Sequence, residues 1–196
     1  MSLELSYRLD GGEWRGCHSF VRNWTLLLKG LWSATNTTLI DVGGVSRNLW
    51  PGDDHVSLSF LSGQAQANDD SKGIVVGSGD GAEDYEGHSL SSKILHAWPP
   101  EAGKLYYMED GVTTETESGY CEAVKTRRFI NYTAAPITVK EFGLYVRCLD
   151  TGETYRYFMV LRELLDAPLI IGTGKKEYPP DPGQTGRIDM TWRITV

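Results

Sequence analysis

Residues 73–87 read GIVVGSGDGAEDYEG, and the fold turns on what this stretch is. A short apolar run leads into Gly77-Ser78-Gly79-Asp80-Gly81-Ala82, which satisfies G-x-G-x-x-G/A, the fingerprint of dinucleotide-binding folds. That fingerprint works only where a helix starts inside it, so that free backbone N–H groups and the helix dipole meet a pyrophosphate. After Ala82 come Glu83, Asp84, Tyr85, Glu86, Gly87, His88 and Ser89. They carry no apolar stripe at i, i+3, i+4 and have a glycine in what would be the second turn. Asp80, Glu83, Asp84 and Glu86 would surround a bound phosphate with carboxylates. The stretch is therefore read as a buried strand, Gly73 to Gly77, running into an acidic turn, with no cofactor implied.

Outward from this strand the pattern is β. In HVSLSFLSG (55–63), Val56, Leu58 and Phe60 alternate with His55, Ser57 and Ser59, the period of a half-buried strand. GRIDMTWRITV (186–196) alternates over its whole length. KLYYME, YCEAVKTRRFIN, ITVKEFGLYVR and ETYRYFMVLREL are rich in β-branched and aromatic residues and bounded by Gly, Asp, Asn or Pro. Asp150-Thr151-Gly152-Glu153 reads as the turn of a hairpin joining the strands through Tyr145 and Tyr157. Gly143, inside a strand pattern, predicts a bulge or a close backbone approach.

One segment departs from this period. In SFVRNWTLLLKGLW (19–32), Phe20, Trp24, Leu27, Leu28, Leu31 and Trp32 fall at the spacing of one helical face, with Ser19 available as a cap. Strands without alternating helices predict a mainly β fold. The expected architecture is a single antiparallel β-sandwich domain over 1–196, jelly-roll or immunoglobulin-like, with one N-terminal amphipathic helix at about 19–32. A long Pro/Gly loop is expected at about 172–186, where Pro179, Pro180 and Pro182 forbid ladder pairing. The strand around RYFMVLREL is apolar on both faces, which predicts a cover by the helix, by another subunit or by a thicker core. No internal repeat stands out.

Composition narrows the function classes. The 196 residues carry a formal charge of −7 and 40% hydrophobic residues, enough for a real core and unsuited to a nucleic-acid backbone or an anionic membrane. The apolar runs are too short to span a bilayer, and MSLELSYRLDGG lacks a basic region followed by an apolar core, so the expectation is synthesis in the cytoplasm without a leader. Cys17, Cys121 and Cys148 fit neither a disulfide framework nor a C-x-x-C zinc site. The sequons at Asn23, Asn36 and Asn131 are read as coincidental.

No motif supplies a catalytic, cofactor-binding or metal site. GTGKK (172–176) has Leu169 and Lys176 where a phosphate loop needs glycine and a hydroxyl. His18, His55, His88 and His96 show no H-x-H or i+4 pairing. The acidic cluster lacks the order of a calcium loop, so a solvated turn is the expectation there.

The segments FVRNWTLLLKGLW, IDVGGVSRNL, GIVVGSGDGAEDYEGHSLSSKI, RRFINYTAAPITVKEFGLYV and YFMVLREL…TWRITV resemble, in the same order, a family of structural proteins of tailed bacteriophages and related prokaryotic viruses. The most specific parts are the I-V-V-G-x-G turn with D-Y following and the strand pair FINYTAAPITVKEFGLY (129–145). The resemblance implies a non-enzymatic β-sandwich of the virion, in a tail, fibre, collar or head-associated position. It implies assembly as a homo-oligomer and with other virion proteins. Phe20, Trp24, Leu28 and Trp32 are the expected oligomer interface. Tyr178, Pro179 and Pro180, in a loop longer than the resembling sequences carry, are the expected loop contact. Two alternatives stay open. One is a carbohydrate- or receptor-binding module, in which exposed Trp50, Trp98 or Tyr178 would stack on a host surface glycan; the other is a hydrolase.

Overall fold

The computed structural model describes residues 4–10, 12–16, 20–33, 35–49, 61–117, 120–173 and 187–195. The chain begins with β1 (Glu4–Leu9), β2 (Arg15–Gly16), the helix α1 (Arg22–Ser33), β3 (Thr37–Ile40), β4 (Ser46–Leu49), β5 (Leu61–Ser62) and β6 (Gly73–Gly77). Four long strands and a shorter last one follow: β7 (Tyr106–Glu117), β8 (Tyr120–Ile130), β9 (Ile137–Leu149), β10 (Tyr155–Ile171) and β11 (Arg187–Thr195). The protein is thus mainly β, with one helix among the described residues, and the pairings between these strands are antiparallel.

One sheet has the order β2-β1-β11-β8-β7, and the second has β10-β9-β5 with β6 also paired to β9. The last strand lies between the first and the eighth, with Glu4 opposite Thr195 and Leu9 opposite Met190. The two sheets share a core, in which Tyr7, Tyr107 and Phe129 of the first meet Val76, Val139, Phe142, Tyr145, Met159 and Leu161 of the second. Tyr7 and Phe142 rings sit 5.0 Å apart. β6 is buried at all five positions, as its uninterrupted apolar run predicts.

The opposite face of β9 and β10 is covered from within the chain. Val146, Cys148, Phe158 and Val160 pack with Leu27 of α1, Leu39 of β3 and Leu49 of β4. The apolar second face of RYFMVLREL therefore belongs to the helix and the β3–β4 hairpin. The helix itself differs from its sequence reading. It starts at Arg22, and Phe20 lies ahead of it in an isolated antiparallel bridge with Leu161; Ser19 is outside the described residues. The buried line runs through Asn23, Leu27 and Gly30, while Leu31 and Trp32 face solvent. A polar residue takes the inner position because its amide is fully used: Asn23 donates to the carbonyls of Ile40 (2.8 Å) and Met159 (3.2 Å) and accepts the N–H of Ile40 (3.1 Å). Buried amides are stable inside a core on that condition.

Candidate functional site

The glycine turn after β6 is built around a buried ion pair. Glu141 on β9 and Arg162 on β10 are almost completely buried and meet at 2.8 Å. Arg162 also donates to the carbonyls of Ala82 (2.9 Å) and Gly81 (2.7 Å) and to Ser91 Oγ (2.8 Å). Glu141 accepts the N–H groups of Ser92 (2.9 Å) and Ser91 (3.2 Å). The carboxylate that receives backbone N–H groups here belongs to the protein, in the role a ligand phosphate would take in a nucleotide fold. No helix follows β6; residues 78–93 form turns and an isolated bridge from Gly77 to Lys93. The glycines are steric requirements. A Cβ on Gly77 would lie 2.6 Å from Glu141 Oε1 and 2.8 Å from the Ser92 carbonyl, and one on Gly79 would lie 2.5 Å from Ser91 Cβ. Gly143 likewise meets the Leu161 carbonyl at 2.9 Å, the close approach its place in the strand predicts.

A second buried arginine holds the chain that enters β6. Arg127 on β8 donates from Nε to Met108 (2.9 Å), from Nη1 to Lys72 (3.0 Å) and Ile74 (2.8 Å), and from Nη2 to Gln66 (3.3 Å) and Asp69, all backbone carbonyls. Its five donors are thus all engaged. The guanidinium lies over the Tyr107 ring at 4.8 Å. Beside it the buried Asp110 takes Lys125 Nζ at 2.6 Å and the Ala65 N–H at 2.9 Å on one oxygen, and faces Arg127 Nε at 3.4 Å with the other. Burial raises the Asp110 carboxyl against the pull of both cations, and burial lowers Lys125 against the pull of Asp110. His96 joins the same region: burial, with Arg127 nearby, pulls its imidazole below the ordinary range against Asp70, and its Nδ1 accepts the Tyr107 N–H at 3.3 Å.

A third device was hidden in the sequence. Asp41 and Asp150 make the same turn: Oδ1 accepts the N–H of residues i+2 and i+4, and Oδ2 accepts an arginine Nε at i+6. The distances are 3.0, 2.9 and 2.8 Å for Gly43, Val45 and Arg47, and 3.0, 2.9 and 2.9 Å for Gly152, Thr154 and Arg156. D-x-G-x-x-x-R therefore marks both turns, as a repeat too short to stand out in a sequence scan; the same pattern recurs at Asp181, Gly183 and Arg187, of which the first two lie outside the described residues. The two turns are neighbours, joined by the Thr151 N–H to the Asn48 carbonyl (2.8 Å) and the Val42 N–H to the Tyr157 carbonyl (3.0 Å). The second is the hairpin expected at residues 150–153.

The acidic turn is divided among separate partners. Asp80 pairs with Lys140 (2.8 Å), Glu86 with Arg22 (2.7 Å), Glu83 accepts the Leu164 N–H (3.0 Å) and Asp84 accepts that of Glu86 (3.0 Å). Among the described residues no group of His, Cys, Asp and Glu has the arrangement of a metal site. The sequon residues Asn23 and Asn131 are buried and hydrogen-bonded inside the fold. Cys148 is buried, which pushes its thiol up to about 12. His18, His55, Cys17, Trp50, Tyr178, Pro179 and Pro180 lie outside the described residues.

Two surface features remain. Trp98 is 49% exposed, followed by Pro99 through a cis peptide, and stands edge-on to Tyr106 and Tyr132 with centroids 5.6 and 5.4 Å away. Tyr132 also lines a neighbouring cavity of about 450 Å³, together with Pro100, Glu101, Thr133, Ala134 and Thr173. At the other feature, the C-terminal end of α1, Trp32 is 83% exposed beside the part-exposed Leu31. Of the expected interface residues, Phe20 and Trp24 stack on one another at 5.2 Å and, like Leu28, are half-buried. The pattern that would have found the Arg162 clasp is a cation within an otherwise apolar strand run, RYFMVLREL; Arg127, between Thr126 and Arg128, carries no such signal. No protein-family model, no curated protein and no solved structure matches this chain.

Proposed function

We propose that this chain is a non-enzymatic structural protein of a phage-like virion, a tail, fibre, collar or head-associated component that works by assembling with copies of itself and with other virion proteins. In this reading the two antiparallel sheets and their common core form a β-sandwich of the jelly-roll or immunoglobulin-like kind. The observation that carries it is Trp32, left 83% exposed at the end of the helix that buries Asn23, Leu27 and Gly30. Tryptophan is enriched among the residues that carry binding energy at protein interfaces. Consistent with it, the two stretches on which the sequence resemblance rests are partners in the fold, since the glycine turn after β6 is clasped by Glu141 of β9. Light scattering coupled to gel filtration over a range of concentrations tests the reading. A dimer or larger oligomer is expected, and Trp32→Ala is expected to weaken it by about tenfold or more. A strict monomer at every concentration overturns it.

The exposed Trp98 favours one other reading, a glycan-binding surface. Tryptophan beside prolines, with threonine hydroxyls and Glu101 around an open cavity, presents the flat apolar face and the polar rim that a sugar ring requires. A glycan array separates the two: signals lost in Trp98→Ala identify a sugar site, and a blank array leaves assembly alone.

A further inference from the structure

We propose that the distal half of β7, Gly111–Glu117, is the self-association edge, pairing antiparallel with the same segment of a second copy about a two-fold axis at Thr114. The inference rests on the self-assembly reading and names its surface. The protein's long sheet edges are treated differently. On the outer side of β10, the N–H of Val21 and Val42 reach the carbonyls of Val160 and Tyr157, Phe20 bridges Leu161, and Glu83 takes the Leu164 N–H. Further along β10 its register with β9 is broken between Leu164 and Leu169, and Pro168 lies in the gap. Such irregularities and prolines block edge pairing. The first half of β7 is covered too, by the Asn68 N–H to the Tyr107 carbonyl (3.0 Å) and the Asp110 N–H to the Ala65 carbonyl (2.9 Å).

From Gly111 onward, β7 pairs only with β8 among the described residues, with no register shift and no proline or lysine. Gly111 to Thr114 are exposed, Val112 to 54%. Because Asp110 turns its N–H outward to Ala65, backbone alternation turns the N–H and C=O of Val112, Thr114 and Thr116 outward as well. An antiparallel copy centred on Thr114 brings these outward groups face to face, Val112 opposite Thr116 and Thr114 opposite Thr114. The same register sets Glu115 opposite Thr113 and Glu117 opposite Gly111, so no carboxylate faces another directly. Pairing there joins the two five-stranded sheets into one continuous sheet across the axis.

The two-fold axis makes a charge swap at Thr114 decisive. The full chain and its Thr114→Lys and Thr114→Glu variants are compared by light scattering, singly and as an equimolar mixture, with circular dichroism to check that each is folded. Like charges meet themselves in either variant alone, so each is expected to self-associate about tenfold or more weakly than the wild type. In the mixture Lys meets Glu, and association is expected to return. A wild-type oligomer that survives both substitutions unchanged, or a mixture that stays dissociated, overturns the edge pairing and leaves self-assembly standing. A wild-type chain that is monomeric throughout overturns both.

Discussion

Arg127 and Arg162 do the same work from opposite sides of β6. Each is a strand residue whose guanidinium reaches loop backbone rather than solvent, and each carries a buried carboxylate beside it. Arg127→Met leaves the backbone carbonyls of Met108, Lys72, Ile74, Gln66 and Asp69 without this donor and removes one of the two cations beside the buried Asp110 carboxylate. It is expected to cost about 3–5 kcal/mol, read from urea unfolding. Arg127→Lys is expected to recover only part of this, since one ammonium cannot serve carbonyls arranged around a planar fork. The glycine turn makes a graded test. Gly79→Ala drives a methyl against Ser91 Cβ at 2.5 Å and the Ser92 backbone N at 2.9 Å, and is expected to destabilise by about 1–3 kcal/mol. Gly81→Ala meets first the Ser91 hydroxyl at 2.8 Å, a rotatable group, and is expected to cost less in the same unfolding series. Equal losses at the two positions would contradict this packing.

The paired aspartate turns set the pH response of individual elements. The hydrogen bond from Arg156, with those from the Thr154 and Gly152 N–H groups, holds the Asp150 carboxyl below the ordinary carboxylate range. For Asp41 burial acts upward and is the largest single influence, yet Arg47 and the Val45 and Gly43 N–H groups outweigh it and the carboxyl is again lowered. Both carboxyls stay ionised in the folded chain at a pH where the unfolded chain takes up protons. Their contribution is therefore present above about pH 4 and lost as the pH falls through the lower folded values. Asp150→Asn is expected to lower Tm most at neutral pH, with its curve converging on that of the wild type as the pH falls from neutral through the acid range. A constant gap across that range would mean that the ionised carboxylate adds nothing. In α1 the sequence spacing pointed to Phe20, Trp24, Leu27, Leu28, Leu31 and Trp32; Leu27 is buried as expected, but the rest of the buried line is Asn23 and Gly30, while Leu31 and Trp32 face solvent. Periodicity locates a helix but gives no weight to an asparagine whose acceptors lie on β3 and β10.

At the scale of the whole molecule, β9 is the hub: it takes β10 along one side and β5 and β6 in succession along the other. The helix and the β3–β4 hairpin cover one face of the β9–β10 pair, and the first sheet covers the other. That cover removes the apolar face of β10 as a subunit contact; the proposed assembly uses Trp32 and the distal edge of β7 instead. Trp32→Ala and the Thr114 charge swap act on different surfaces, so their effects on association are expected to add in the double variant. Strong non-additivity would place both in one contact.

What the sequence determined by itself was local. The strand periods, the hairpin turn at Asp150, the buried run Gly73–Gly77, the single helix and the absence of a helix after the glycine fingerprint all follow from neighbours a few residues apart, where backbone sterics and apolar alternation act. Tertiary structure alone decided why the glycines are there, because their constraint comes from Glu141, Ser91 and Ser92 across the fold. Arg162 holds Gly81 from 81 residues away, and Arg127 holds Lys72 from 55. Hydrogen bonds at such separations leave no periodic trace in a chain. The same holds for the sheet order that pairs β1 with β11 and, among the described residues, leaves the distal half of β7 paired on one side alone: register is set by which faces are buried together, and that is known only once the chain has folded.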